Sequence, residues 1–385
     1  MSSTATPALP PSVEDLLAQM VAGNTVNRHF GGPEGGEARL IARLEALARA
    51  WGLATRREPV PGGGDNLLVT CEVAAGAPWL LFESHVDTVS HAGMTVDPLV
   101  ATVAGERIHG RGTCDTKGSG AAMFWALREY ARGPVRPRNV GLLFTLDEEA
   151  KMTGARAFAA GGLREFLPRL RGVIVGEPTR LRPVVATNGV VRWKTLTRGR
   201  AAHSSVPANG QSAISAMLRV VEALEARYVP TVTRRHPMTG AAAMSVNVIR
   251  GGTQVNIIPE TCEIECDRRT VPGETAGQVW AERDAVLAGF AVEHAGPYVV
   301  PAMGPEHSRE LLALLQPILT RHGLEPAGRG EPYVTDGSHF AAAGAPVIVI
   351  GPGDLAQAHT KDEWVDRRQL ALAVQVYGEL MGAPA

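Results

Sequence analysis

Residues 79–87 read WLLFESHVD, an apolar run from Trp79 to Phe82 that breaks into Glu83, Ser84, His85, Val86 and Asp87. A short continuous apolar run is what a strand buried on both faces requires. One that ends in ligand-type residues sets them at the strand's carboxyl end, where open parallel sheets collect their ligands and catalytic groups. The layout recurs along the chain. The run VGLLFTL over 140–146 leads into Asp147, Glu148 and Glu149, GVIVG over 172–176 leads into Glu177-Pro178, and PVIVIGPG over 346–353 is followed by His359. A further strand is read in NLLVTCEV over 66–73, and Asp115 lies in GRGTCDTKG, a glycine-rich turn before a helix.

Helical segments alternate with these runs. Ser12 followed by Asp15 has the form of a capping box, and EARLIARLEALARAWGL from Glu37 repeats apolar residues at helical spacing. The pattern predicts an α/β domain whose mostly parallel sheet is flanked by helices. Near residue 184 the texture changes. VVATNGVVRWKTLTRGRAAHSS alternates like a half-exposed strand, a helix is read over about 209–228, two strands in SVNVIRGGTQVNIIPETCEIECDRR, and a helix over about 275–289. The expectation is a metal-binding domain formed by 1–183 and 295–385 and interrupted by a small α+β insert, 184–294.

Composition narrows the function. The chain has 385 residues, 45% hydrophobic and 20% charged, and 38 Lys+Arg against 39 Asp+Glu leave a formal net charge of -1. That excludes disorder over most of the length, and no basic excess argues for nucleic acid. No long apolar window argues for a membrane span, and MSSTATPALPPS lacks the basic start and apolar core of a leader, so a cytoplasmic protein is expected. Cys71, Cys114, Cys262 and Cys266 fit neither a disulfide framework nor a zinc-finger spacing and read as reduced, buried thiols. Sequences for HExxH, GxSxG and Walker A chemistry are absent, and GRGTCDTKG departs from GxGxxG because Asp115 stands in the last glycine's place.

Two imidazoles and several carboxylates at one sheet edge suit a borderline divalent ion such as zinc, and the set is too large for one tetrahedral site. Two ions about 3.5–4 Å apart can activate water and polarise a carbonyl together. Of the adjacent Glu148 and Glu149, one is then a ligand and the other moves protons. Asp87 is placed to accept the second N–H of His85 and orient the ring.

SHVDTV, GRGTCDTKG, LDEEA, GEPT and AHTKDEW resemble, in order and over about residues 12 to 382, the motif set of the dizinc M20 metallopeptidases and deacylases. That group includes acetylornithine deacetylase, succinyl-diaminopimelate desuccinylase, aminoacylase and carboxypeptidase G2. The resemblance implies that His85 and Glu177 bind one Zn2+, that Glu149 and His359 bind the other, and that Asp115 bridges them through a residue whose peptide bond to Thr116 is cis. Co2+ or Mn2+ are implied as substitutes. It makes Glu148 the general base and Asp87 the residue that orients His85. The insert resembles the family's lid and homodimerisation domain, which places His203 in GRAAHSS as the group polarising the scissile carbonyl from the partner subunit. Asn256 in QVNIIPE and Arg269 in CDRRTVPG match substrate-gripping positions, with Arg268 a competitor and Asp267 a rival partner for Arg269. The implied reaction removes an N-acyl group, acetyl by the likeness of GPGDLAQAHTKDEW, from a small carboxylated amide. Dipeptidases and carboxypeptidases of the same family are the alternative, and a non-catalytic ligand-binding homodimer is the alternative of another class.

Overall fold

A computed structural model describes residues 9–384. The first eight residues of the stretch read for a leader lie outside them. The chain divides into two compact units, one formed by Met1–Val185, Pro305–Arg329 and Thr335–Ala385, the other by Ala186–Gly304 and Gly330–Val334.

The large sheet has eight strands in the order Ala54–Pro59, Asp65–Cys71, Asn139–Thr145, Trp79–His85, Leu170–Val175, Val347–Val349, Val184–Thr187 and Arg329–Glu331, the first six of them in the first unit. The expected α/β architecture forms, with a parallel run through four central strands, Asn139–Thr145 to Val347–Val349. Asp65–Cys71 runs antiparallel to its neighbours on both sides. Every residue of Trp79–His85 and Asn139–Thr145 is buried, as strands covered on both faces must be. On one face Phe82 meets Tyr377 of the helix Arg367–Gly382, and Phe144 meets Phe124 of the helix Lys117–Arg132. Helices Thr153–Ala160 and Gly337–Ala342 pack through Phe158 and Phe340, and a Cβ at Gly337 would touch Val347 and Val175 of the sheet. Ser12 caps the helix Val13–Val21 by accepting from the N–H of Asp15. Among the described residues no helix is long and apolar enough to cross a membrane.

In the second unit four antiparallel strands stand in the order Ala243–Gly251, Thr261–Thr270, Gly189–Arg198 and Val292–Val300. Helices Ala213–Ala223 and Ala276–Val286 cover one face, and Trp193, Ile264, Met217, Val220 and Val279 share its core. Cys262 and Cys266, four apart and so on the same face, point into that core. The other face carries ion pairs such as Lys194 with Glu263 and Arg192 with Asp267.

Both limits of the insert differ from the sequence reading. Residue 294 falls inside Val292–Val300, which pairs with Gly189–Arg198, so the unit continues to Gly304. At the other end Val184 pairs with Val349 of the large sheet, and the second unit begins at Ala186. A third, three-stranded sheet joins Thr102–Ala104, Arg107–His109 and Trp364–Asp366.

Candidate metal centre

The four parallel strands deliver the polar clusters to one edge. His85 is the last residue of its strand, Asp147–Glu149 follow Asn139–Thr145, Glu177 follows Leu170–Val175, and His359 lies in the segment after Val347–Val349. Asp115 reaches the same place from the loop before the helix Lys117–Arg132, across a cis bond to Thr116. Gly112 in that loop has φ +84°, a conformation that glycine takes without strain.

Two three-residue groups result, His85 with Asp115 and Glu177, and Asp115 with Glu149 and His359, in each of which the ligand atoms lie within 4.8 Å of one another. Asp115 belongs to both. Its Oδ1 is 3.1 Å from His85 Nε2 and its Oδ2 3.2 Å from His359 Nε2, while Glu149 Oε2 is 3.1 Å from the same His359 nitrogen. Glu177 Oε1 lies 4.0 Å from His85 Nε2. Glu148 is in neither group.

Asp87 meets His85 through its backbone carbonyl as well as its carboxylate. His85 Nδ1 is 3.1 Å from the backbone carbonyl of Asp87 and 3.5 Å from its carboxylate. A carbonyl only accepts, so Nδ1 donates and Nε2 is the nitrogen turned to a ligand position. The fully buried carboxylate of Asp87 also accepts from the backbone N–H of Glu148 at 3.0 Å, the N–H of Glu149 at 3.2 Å and Asn27 Nδ2 at 2.8 Å. Asn27 Nδ2 also donates to Asp147 Oδ1, and Thr153 and Glu37 hold Asp147 by its other oxygen and its N–H. Asp147 and His359 have φ of 63° and 61°, unusual for residues with a Cβ, and at Asp147 the contacts with Asn27, Glu37 and Thr153 hold the turn.

The electrostatics favour cations. Burial, then the charges of Glu177, Glu149 and Asp115, push the Glu148 carboxyl well above the carboxylate range, and burial followed by Asp115 does the same to Glu177. Burial also works against the charge of Asp115, but hydrogen bonds from His359 and His85 outweigh it and hold that carboxyl below its ordinary value. His359 is pushed up to about 11 by its bonds to Asp115 and Glu149. Such a cluster demands positive charge, which two divalent ions supply in place of protons. The residues therefore fit a two-ion centre by donor type, spacing and charge. Cys114, beside Asp115, is fully buried and burial raises its thiol well above the usual value, the state of a packing residue.

The remaining predicted residues belong to the second unit. His203 is exposed, with Nδ1 2.7 Å from Ser205 Oγ, and Asn256 is exposed beside it, its backbone carbonyl accepting from the N–H of Ser204. Arg269 donates from Nε to Asp267 Oδ1 at 2.7 Å, the rival partner read from the sequence. Arg268 is buried against Glu274 at 2.5 Å, which removes it as a competitor for a ligand. Sequence reasoning missed Asn27, Arg111 and Glu363. The last two stand inside GRGTCDTKG and AHTKDEW, where their place in the motifs was the available signal; Asn27 carried none.

Comparison with known proteins agrees with the geometry. Residues 81–383 match the family described as peptidase family M20/M25/M40. The curated acetylornithine deacetylase of Edwardsiella ictaluri is 29% identical over 374 residues, covering 92% of this chain and 93% of that protein. Among solved structures, an M20 family metallo-carboxypeptidase from Sulfolobus solfataricus superposes with a TM-score of 0.77 at 16% identity, covering 96% of this chain and 98% of the other. A Bacillus subtilis protein described as a dinuclear metal binding peptidase from the M20 family gives 0.67 at 16% identity, covering 96% of each chain. The sheet, the paired ligand groups and a family match over most of its length lead to one conclusion: this chain belongs to peptidase family M20/M25/M40, and it is a hydrolase acting on amide bonds.

Proposed function

We propose that the chain removes an N-acyl group, acetyl in the first instance, from a small amino acid or related amide bearing a carboxylate, at a centre of two zinc ions. The observation that carries this reading is Asp115, one oxygen beside His85 and the other beside His359, each with a further carboxylate. His85 and Glu177 would hold one ion, Glu149 and His359 the other, and Asp115 both. Bound there, the pair supplies Lewis acidity and an activated water at neutral pH. Glu148, outside both ligand groups and in a setting that raises its carboxyl, takes the proton from the attacking water. It returns that proton to the amine nitrogen as the C–N bond breaks. Asp87 keeps Glu148 and Glu149 in place through their N–H groups.

On this reading the inserted unit joins two copies of the chain, and His203 donates a hydrogen bond to the scissile carbonyl in the partner's site. Its exposed position beside Asn256 supports that role. Asn256 and Arg269 grip the substrate, Arg269 holding its carboxylate through the nitrogens it does not spend on Asp267. The acetyl preference rests on the likeness to acetylornithine deacetylases over nearly the full length of both chains. Four unpaired thiols support a cytoplasmic setting.

Metal analysis and turnover on N-acetylornithine, N-succinyl-diaminopimelate and a dipeptide panel test the proposal, comparing wild type with Glu148→Ala. Two ions per chain are expected in both proteins, with kcat lower by about a hundred- to ten-thousandfold in the variant. A wild type without metal, or a variant as active as wild type on every substrate, overturns it. Preferred cleavage of dipeptides replaces the deacylase reading by an exopeptidase.

A further inference from the structure

Ligands that come from separate loops need those loops held at ligand spacing. Glu363 is fully buried, and both its oxygens are spent on the loop that carries Asp115. Oε2 accepts from Arg111 Nη1 at 2.6 Å and from the N–H of Gly112 at 3.0 Å; Oε1 accepts from the N–H of Cys114 at 2.9 Å and of Asp115 itself at 3.0 Å. Arg111, also buried, turns Nη2 to two carbonyls, Ser90 at 3.0 Å and Thr360 at 3.2 Å. Ser90 belongs to the segment that follows His85 and Asp87, and Thr360 directly follows His359. The backbone closes the same junction, since the N–H of Gly110 donates to the carbonyl of Glu363 and Trp364–Asp366 pairs with Arg107–His109.

A buried ion pair is a poor source of stability, because desolvation offsets the attraction between its members. What this pair has in abundance is direction. Four donors converge on one carboxylate, and one guanidinium fork spans the loops of three different ligands. We propose that Arg111 and Glu363 are positioning residues for the metal centre, holding the loops of Asp115, His85 and His359 in register before any cation binds. This deepens the two-ion reading and rests on it. Neither side chain touches an ion or the substrate; each acts through the ligands that its loops carry. An amide at position 363 would turn a donor toward either Arg111 or the backbone N–H groups, and a lysine at 111 keeps the charge but cannot span Glu363 and both carbonyls.

The test uses the full chain, stripped of metal and titrated with zinc against a chromophoric chelator. Glu363→Gln and Arg111→Lys are expected to lose about ten- to a hundredfold in zinc affinity, the usual effect of removing an outer partner of a ligand. Their kcat, counted per folded and zinc-loaded chain so that a loss of folded protein does not enter it, falls while KM for the amide stays near that of wild type. In metal-free wild type, the N–H groups of Gly112, Cys114 and Asp115 are expected to exchange with solvent as slowly as those of the strand Trp79–His85. Folded variants that bind zinc as tightly as wild type overturn the positioning role. So does rapid exchange at those three groups that slows only when zinc is added, a result that needs no variant to fold. A wild type that binds no zinc ends the two-ion reading instead, so the two failures are distinguishable.

Discussion

In one unit His85 and Asp87 are buried and tied down by several partners each; in the other, His203 and Asn256 sit on exposed loops and Arg269 shares one bond with Asp267. The contrast follows the demands on each set. On the proposed reading, the groups that hold ions and move a proton must keep their geometry to within a fraction of an ångström, which packing and redundant hydrogen bonds provide. Groups that meet a varied substrate or a second chain can remain adjustable. His359 is the exception in the first unit, with its side chain 52% exposed, and a cation has most to add to its order.

The largest effect that sharpens this contrast is metal removal. Chelation should abolish turnover and zinc should restore it, and the melting temperature should climb with zinc concentration, by about 2.7 kcal/mol of stability at a hundredfold excess over Kd. A melting curve indifferent to zinc would mean that the rigid cluster is rigid for another reason. Next comes Asp87→Asn, in which the amide nitrogen cannot accept from Glu148 or Glu149; metal affinity or kcat should fall by about ten- to a hundredfold. If the loss appeared only in KM, Asp87 would belong with the adjustable set. Arg269→Ala should raise KM about tenfold, the worth of one charge-assisted contact, with kcat little changed. An equal fall in kcat would show that the insert reaches the transition state through this residue. The smallest signal is recovery on mixing. Inactive His203→Ala and inactive Glu148→Ala chains, exchanged at random, give half of the dimers one competent site, hence about a quarter of wild-type activity. No recovery despite measured subunit exchange would return His203 to its own subunit or to the surface.

Much of this was legible from residue order. The central strands announce themselves because burial on both faces forces unbroken apolar runs, and the candidate ligands His85, Glu149 and Glu177 announce themselves because they stand within a few residues of where such a run stops. Ala54–Pro59 was not legible, since ATRREP is an edge strand with three charged residues and no apolar alternation. The insert's end at 304 was hidden because Val292–Val300 is mostly exposed and becomes a strand only through pairing with Gly189–Arg198. Asn27 went unread for a related reason. Its partners Asp87 and Asp147 lie 60 and 120 residues away, and a hydrogen bond across that span leaves no periodic trace.

Sequence alone determined which residue types arrive at the sheet edge and in what order, because side-chain chemistry and strand patterning are local properties. Only the tertiary structure decided how they are aimed. That Asp87 turns its carbonyl to His85 and its carboxylate to the Glu148-Glu149 turn, and that Glu363 closes on the Asp115 loop, depend on distances between segments up to 252 residues apart. Those distances are set by the packing of the whole first unit, and no stretch of chain contains them.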